Sequence, residues 1–458
     1  MKLKVNAKLD PKFMPLSLVC REMREATKED GQDIIIAVER NNGYTTTYKT
    51  RVYKDGTGHD EQNFDFIERI TKTLLWISGG YKVYLAGSEL IGNKLKEVYS
   101  HGGKRDFDVI TMERIYEKTF EVVICSLEDA PKDKSSAAPI GRHLDGCRIG
   151  FDAGGSDRKV SAVINGESVY SEEVVWFPKT NPDPDYHYQG ILDAMKTAAS
   201  HMPRVDAIGV SSAGIYVDNK IMMASLFLKV SPEDFDKKVK TMYLDVAREI
   251  GENIPIEVAN DGDVTALAGA MSLNDNGVLG IAMGTSEAGG YVDTQGNITG
   301  WLNELAFAPV DASKDAMVDE WSGDYGCGVK YFSQDGVIKL APYAGIELDE
   351  NLSPAEKLKV VQGLMKEGDE RAAAIYDTIG AYFGYAIAYY AEFYEIKHVL
   401  IMGRVTSGEG GVILLERAKE VLDKEFPELA KQIKLNIPDE KARRVGQSVA
   451  AASLPKIN

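Results

Sequence analysis

Cysteine is scarce in this chain of 458 residues: Cys20, Cys125, Cys147 and Cys327 lie far apart, and no C-x-x-C pair occurs. That spacing supports neither a disulfide framework nor a self-contained zinc knuckle, and a reducing cytoplasm is the expected compartment. Positive charge is also short. Lys and Arg number 53 against 70 Asp and Glu, for a formal net charge of -17, and no basic tract offsets the deficit. A protein that works by neutralising nucleic-acid phosphates is therefore not expected. Long apolar runs are missing too: nothing approaches the roughly eighteen residues of a membrane span, and the opening MKLKVNAKLDPKF has no apolar stretch of signal-peptide length. Neither secretion nor membrane spanning follows. What is present, 44% hydrophobic and 27% charged residues, is ordinary for a globular protein long enough for two or three domains.

Taken in order, Asp33 to Tyr53 alternates around Asn42-Gly43, which predicts two paired strands joined by a type I′ turn. Apolar spacing predicts a helix from Asn63 to Ile77, a strand from Lys82 to Ala86, a helix from Glu89 to Tyr99, and strands near Phe107 and Val122. The segment APKDKSSAAP, Ala130 to Pro139, reads as a solvated linker, with a domain boundary near Cys147. Beyond it, strands around Ala162 and Val174 lead to NPDPDYHY, Asn181 to Tyr188, whose prolines predict a loop before a helix from Gln189 to Ser200. A strand from Val205 to Val210, an amphipathic helix from Glu233 to Ile250, a strand from Ile256 to Ala259 and a helix from Asp263 to Met271 continue an α/β pattern.

Glycine marks the places where chemistry is expected. In RIGFDAGGSDRK, Arg148 to Lys159, an apolar strand carrying Asp152 runs into Gly154-Gly155-Ser156. Such a turn can present backbone N–H groups and a hydroxyl to an anion, or it can be a plain hairpin. Ser211-Ser212-Ala213-Gly214 ends a strand with small residues, where α/β proteins bind ligands or simply turn. A second turn, Gly284-Thr285-Ser286 followed by Gly289-Gly290, repeats the first device after the strand GVLGIAM, and a third spans Gly403 to Gly411. Asn260-Asp261 stands between the first two turns, as a catalytic pair or a helix cap.

This order of motifs resembles the ROK family of sugar kinases and repressors, within the actin-like, hexokinase-like ATPase superfamily, from Arg148 to the end. The family's D-x-G-G-T loop corresponds to Asp152-Ala153-Gly154-Gly155-Ser156, its G-T-G-x-G-G-G loop to Gly284-Thr285-Ser286 and the residues through Gly290, and its adenosine turn to Gly403 through Gly410 and Gly411. VGQSVAAASL resembles the family's terminal helix. The resemblance implies two ribonuclease H-like domains around a cleft: residues 148–275 with a C-terminal helix about 441–458, and residues 276–440. Residues 1–147 form an added α/β extension with its linker near 130–147. It also implies ATP and Mg²⁺ as cofactors, Asp261 as general base toward a sugar hydroxyl, Asn260 as its orienting neighbour, and Asp152 as the Mg²⁺ residue, acting through water.

The acceptor pocket departs from the family. Its G-E-x-G-H signature survives as Asn303-Glu304-Leu305-Ala306-Phe307, with Glu304 kept and Phe307 where a histidine serves sugar and zinc. Only Cys327 remains of the cysteine cluster, and Val329 replaces a sugar-contacting glutamate. No structural zinc is expected, because tetrahedral zinc needs its full ligand set. The acceptor set is then Ser212, Gly214, Asn260, Asp261, Glu304, Phe307 and Val329, with a deoxy, acylated or otherwise altered sugar as ligand. The expectation is a carbohydrate kinase acting on a small sugar or sugar derivative, with a homodimer implied by the family and no nucleic-acid or membrane partner. The other reading, a sugar or nucleotide sensor that has lost catalysis, is separated from it by a phosphotransfer assay.

Overall fold

The computed structural model describes residues 2–135, 140–437 and 440–457, so the end of the expected linker, 136–139, lies outside the described residues. Strands and helices alternate throughout, and the α/β reading holds. The chain forms two compact units, one of Met1–Ser136, Ile281–Gly289 and Trp301–Ile437, the other of Ala137–Gly280, Gly290–Gly300 and Pro438–Asn458. The amino-terminal residues thus belong to the same unit as the second glycine turn, Glu304, Phe307 and Val329, which are expected at the acceptor pocket, and the third turn.

In the Ala137–Gly280 unit, a five-stranded sheet is ordered Ile256–Asn260, Ala207–Ser212, Cys147–Ala153, Asp157–Ile164, Glu167–Val175. The first three strands are parallel and the last two turn back antiparallel, so the carboxyl ends of the parallel strands bring Asp152, Ser211, Ser212 and Asn260 to one edge. Ile149, Phe151 and Val210 pack with Met195 and Tyr243 into a buried core. The carboxyl-terminal helix Glu440–Ala452 packs on this sheet closely enough to require glycine beneath it. A Cβ at Gly150 would lie 1.9 Å from the Ser448 carbonyl oxygen, and one at Gly209 would lie 1.6 Å from that of Ala451. Any side chain at either position would push the helix away.

In the Met1–Ser136 unit, the hairpin Gly31–Glu39 and Thr45–Tyr53 forms as expected, with Asn42 and Gly43 at φ 63° and 66°. These strands join Lys82–Ala86 and Glu121–Cys125 in one sheet. A second sheet carries Val278–Met283, Glu287–Val292, His398–Met402 and Lys434–Asn436. The helix Glu370–Tyr390 precedes the strand His398–Met402 in the chain and buries Tyr376, Tyr382, Tyr385, Tyr389 and Tyr390.

Three local expectations are corrected. Phe107 lies in a helix, Asp106–Tyr116, whose buried Val109, Met112, Ile115 and Tyr116 follow helical spacing that a short window conceals. The prolines of Asn181 to Tyr188 do not exclude a helix: Pro184 is its first residue, where a missing N–H costs nothing, and the Asp183 side chain accepts from the Asp185 N–H. The stretch Glu233 to Ile250 is broken into Pro232–Asp234, a wide turn Phe235–Val239 and the helix Met242–Ile250, so one amphipathic stripe covers three pieces.

Candidate active site

Asp152 is the penultimate residue of the buried strand Cys147–Ala153 and is only 7% exposed. Its Oδ1 accepts from the Ser211 hydroxyl at 2.9 Å, and its Oδ2 lies 3.8 Å from the Lys159 ammonium, on the residue paired with it in the adjacent strand. Burial pushes its carboxyl up to about 6, with Lys159 and Ser211 working against the shift. The glycine turn follows directly. Trp176 fastens it, donating from Nε1 to the Gly154 carbonyl at 2.8 Å and from its backbone N–H to that of Ser156 at 3.1 Å. Neither Gly154 nor Gly155 adopts left-handed backbone, so what glycine supplies at this turn is room and not an unusual dihedral. The Ser156 hydroxyl donates to Asp157 at 3.1 Å.

Asn260 and Asp261 sit where the strand Ile256–Asn260 becomes the helix Asp261–Leu273. Asn260 is the cap: its side-chain oxygen accepts from the Gly262 N–H at 2.7 Å, while its amide donates to the Gly214 carbonyl at 2.7 Å. Capping therefore falls to Asn260 and leaves Asp261 in the first turn, with one carboxylate oxygen 3.0 Å from the Gly262 N–H. Burial raises the Asp261 carboxyl above the ordinary carboxylate range, while backbone N–H groups and Lys179 oppose the shift. The last glycine of the second motif packs on this same turn: a Cβ at Gly290 would lie 2.1 Å from the Gly262 carbonyl, and Asp263 accepts from the Tyr291 N–H at 3.0 Å. Ser212 is fully buried, and its hydroxyl accepts from Tyr216 at 2.6 Å and Tyr243 at 3.0 Å.

The second and third turns lie together in the Ile281–Gly289 and Trp301–Ile437 parts of the other unit. Gly284 has open space where a Cβ would stand, the nearest atom being 3.8 Å away. Gly403, at φ 103°, has no such room, since a Cβ would lie 2.2 Å from the Met283 carbonyl oxygen. Arg404 links the two turns by donating to the Thr285 hydroxyl at 2.9 Å, a contact that no motif in the sequence announces. Ser286 donates weakly to the Glu287 carbonyl at 3.4 Å. Gly410 and Gly411 open the helix Glu409–Glu425, packed against Tyr376 and the Thr406 carbonyl.

Glu304, Phe307 and Val329 are half-buried. The segment holding the first two is tied to the carboxyl end of the helix Asp60–Ser78, whose terminal carbonyls have no partner within the helix. Asn303 and Glu304 donate their backbone N–H groups to Ile77 and Trp76 at 2.9 and 3.1 Å. The Phe307 ring lies against Trp76, with centroids 4.4 Å apart, and against Phe107 at 5.3 Å. Glu287, from the second motif, is buried beside Gly328, where a Cβ would lie 2.3 Å from its Oε2. Burial lifts that carboxyl well above its ordinary range, and Glu304 adds to the shift.

A buried ionic cluster backs the Cys327 region. Arg69, Lys72 and Arg105 meet Asp324 at 2.9, 3.0 and 2.7 Å, and Glu68 and Asp108 complete the set. The Trp76 indole donates to Asp108. Burial pushes the Cys327 thiol up to about 12. Among the described residues no group of three or more His, Cys, Asp or Glu side chains is arranged to hold a metal. Nor is any described helix long and apolar enough to cross a membrane. An open cavity of about 1550 Å³, lined by Arg21, His59, Asp65, Arg69 and Tyr325 among others, contains none of the residues expected at the site.

No protein-family model and no curated protein sequence matches the chain. Solved structures do. The ROK hexokinase of Thermus thermophilus is similar over 67% of this chain and 97% of that one, at 17% identity and a TM-score of 0.52. A ROK family glucokinase from Streptomyces griseus, solved with glucose and AMPPNP, is similar over 67% and 99%, at 19% identity and 0.48. A ROK family transcriptional regulator, homologous to the E. coli MLC protein, is similar over 68% and 79%, at 17% identity and 0.49. Over about two thirds of its length, then, this chain has the fold of the ROK hexokinase.

Proposed function

We propose that the protein is an ATP-dependent carbohydrate kinase that phosphorylates a hydroxyl of a small sugar or sugar derivative. The observation that carries this reading is the division of labour at the head of the helix Asp261–Leu273: Asn260 satisfies the cap, and Asp261 keeps its carboxyl in the first turn, against the Gly262 N–H, with its proton affinity raised by burial. A carboxylate of raised basicity suits a general base, worth about 10²–10⁴-fold in rate. The residues present also fit ATP with Mg²⁺: Gly284 has an open face, Gly155 lies in an exposed turn, and Asp152 lies one residue from the end of the strand that leads into that turn. ATP, when bound with Mg²⁺, supplies the γ-phosphoryl group. Asp261 takes the proton of the acceptor hydroxyl, and Asn260 orients that hydroxyl. Backbone N–H groups at Gly154, Gly155 and Thr285 bind phosphate oxygens; the open face of Gly284 lets them approach while its own N–H stays on the Ser286 carbonyl, and Ser156 and Ser286 lie in the same two turns. Asp152 holds Mg²⁺ through water, and Gly403, Gly410 and Gly411 bound the adenosine side.

Glu304 binds the sugar, while Phe307 and Val329 form apolar walls that favour a deoxy, acylated or otherwise altered sugar. Those walls also favour a second reading, a sugar sensor without catalysis. A screen of phosphotransfer over monosaccharides, amino sugars and polyols decides between them. ADP formation with one acceptor class supports the kinase, and ATP binding without ADP formation on any acceptor supports the sensor. Faster turnover of plain glucose than of deoxy or acylated analogues would overturn the acceptor assignment.

A further inference from the structure

After the strand Glu167–Val175 the chain makes a short turn, Pro178–Thr180, that no motif marks. This turn is tied down from two sides. Trp176 holds the glycine turn through Gly154 and Ser156, and the buried ring of His187 lies within hydrogen-bond distance of the carbonyls of Pro178, at 3.0 Å, and Asp183, at 2.9 Å. Lys179 projects from it across Gly155. A Cβ at Gly155 would lie 2.7 Å from the Lys179 Cε and 2.9 Å from its Nζ, so glycine there leaves the space that the lysine fills. Lys159, the other lysine of this edge, is engaged with Asp157 at 2.9 Å and Asp152 at 3.8 Å. Lys179 is exposed and forms no salt bridge among the described residues. Its charge nevertheless reaches Asp261, where it opposes the effect of burial.

We propose that Lys179 is a catalytic residue, its ammonium group covering the first glycine turn and binding the phosphate oxygens held there. This rests on the kinase reading. An uncompensated cation over an anion-binding turn, close enough to the base to favour its charged form, is placed to bind ligand charge that the protein itself does not neutralise. Lys179 exchanges no proton in the transfer. It offsets negative charge while the acceptor oxygen bonds to phosphorus, the bond from that phosphorus to the ADP oxygen breaks with its electron pair leaving on ADP, and the acceptor proton passes to Asp261.

The test compares the full-length protein with Lys179→Met and Lys179→Arg, in phosphotransfer assays and in calorimetric binding of AMPPNP with Mg²⁺, of tripolyphosphate and of adenosine. Lys179→Met is expected to lower turnover by about 10²–10³-fold, the scale of losing one charge-stabilising donor, with at least about tenfold recovered in Lys179→Arg. AMPPNP and tripolyphosphate binding should weaken about tenfold or more in Lys179→Met while adenosine binding is unchanged, which a merely structural role would not produce. Near wild-type turnover and unchanged tripolyphosphate binding in Lys179→Met would overturn the proposal. Should the wild type phosphorylate no acceptor, the kinase reading fails separately: loss of tripolyphosphate binding would still support Lys179 as a phosphate ligand, and unchanged binding would overturn it.

Discussion

Asp152 and Asp324 are both buried carboxylates, and the chain treats them in opposite ways. Around Asp324 burial works toward protonation, yet Arg69 and Lys72 overcome it and hold the carboxyl below its ordinary range. Around Asp152 burial prevails over Lys159 and Ser211, and the carboxyl rises to about 6. Asp261 is raised as well. A buried charge surrounded by its own counterions serves the fold, because leaving it unpaired would be costly. A buried carboxyl left short of cations stores unmet demand for positive charge, the condition found where a metal, a proton or a ligand is to be handled.

The comparison can be broken first at the ionic cluster. Asp324→Asn strands Arg69, Lys72 and Arg105 in the interior and is expected to cost about 3–5 kcal/mol in denaturant unfolding. A loss below about 1 kcal/mol would mean that Asp324 is no more structural than Asp152. Asp152→Asn should do the reverse at high pH. Because its folded proton affinity lies above the ordinary value of 3.8, the folded form binds the proton more tightly, and this group's contribution to stability falls as pH rises through about 6. The substitution should therefore stabilise by up to about 2–3 kcal/mol at pH 8 and leave stability at pH 4 nearly unchanged, measured by thermal melts at both values. The same shift predicts that phosphotransfer falls on acidification with a limb near 6, well above the range of an exposed carboxylate. The smallest effect is expected at Arg404→Ala. It removes the link to Thr285, should raise the KM for ATP severalfold, and should leave stability within about 1 kcal/mol.

Much of the candidate site is legible in the sequence, because each of its parts is local. Gly154-Gly155-Ser156, Asn260-Asp261 and Gly284-Thr285-Ser286 are short runs in which residue type alone dictates a turn or a cap. The central strands are likewise visible, since short apolar runs such as Val278 to Met283, closed by a glycine turn, suit a buried strand. Elements whose identity depends on distant partners are not legible. Lys72 is an ordinary helical lysine until Asp324, far along the chain, meets it, and Trp76 shows no sign in sequence that Phe307 and Glu304 rest on it. Lys179 and Arg404 were invisible for the same reason, each acting on a glycine turn from a different segment. Proline misled at Asn181 to Tyr188 because its effect depends on position: forbidden inside a helix, it is favoured at the first residue.

The proposed role of Asp261 as the base of a phosphotransfer reaction is reached most directly by the turnover of Asp261→Asn on the best acceptor found for the wild type. Turnover is expected to fall about 10²–10⁴-fold with AMPPNP binding retained, since Asn260 and not Asp261 caps the helix. Turnover within a fewfold of wild type would contradict it.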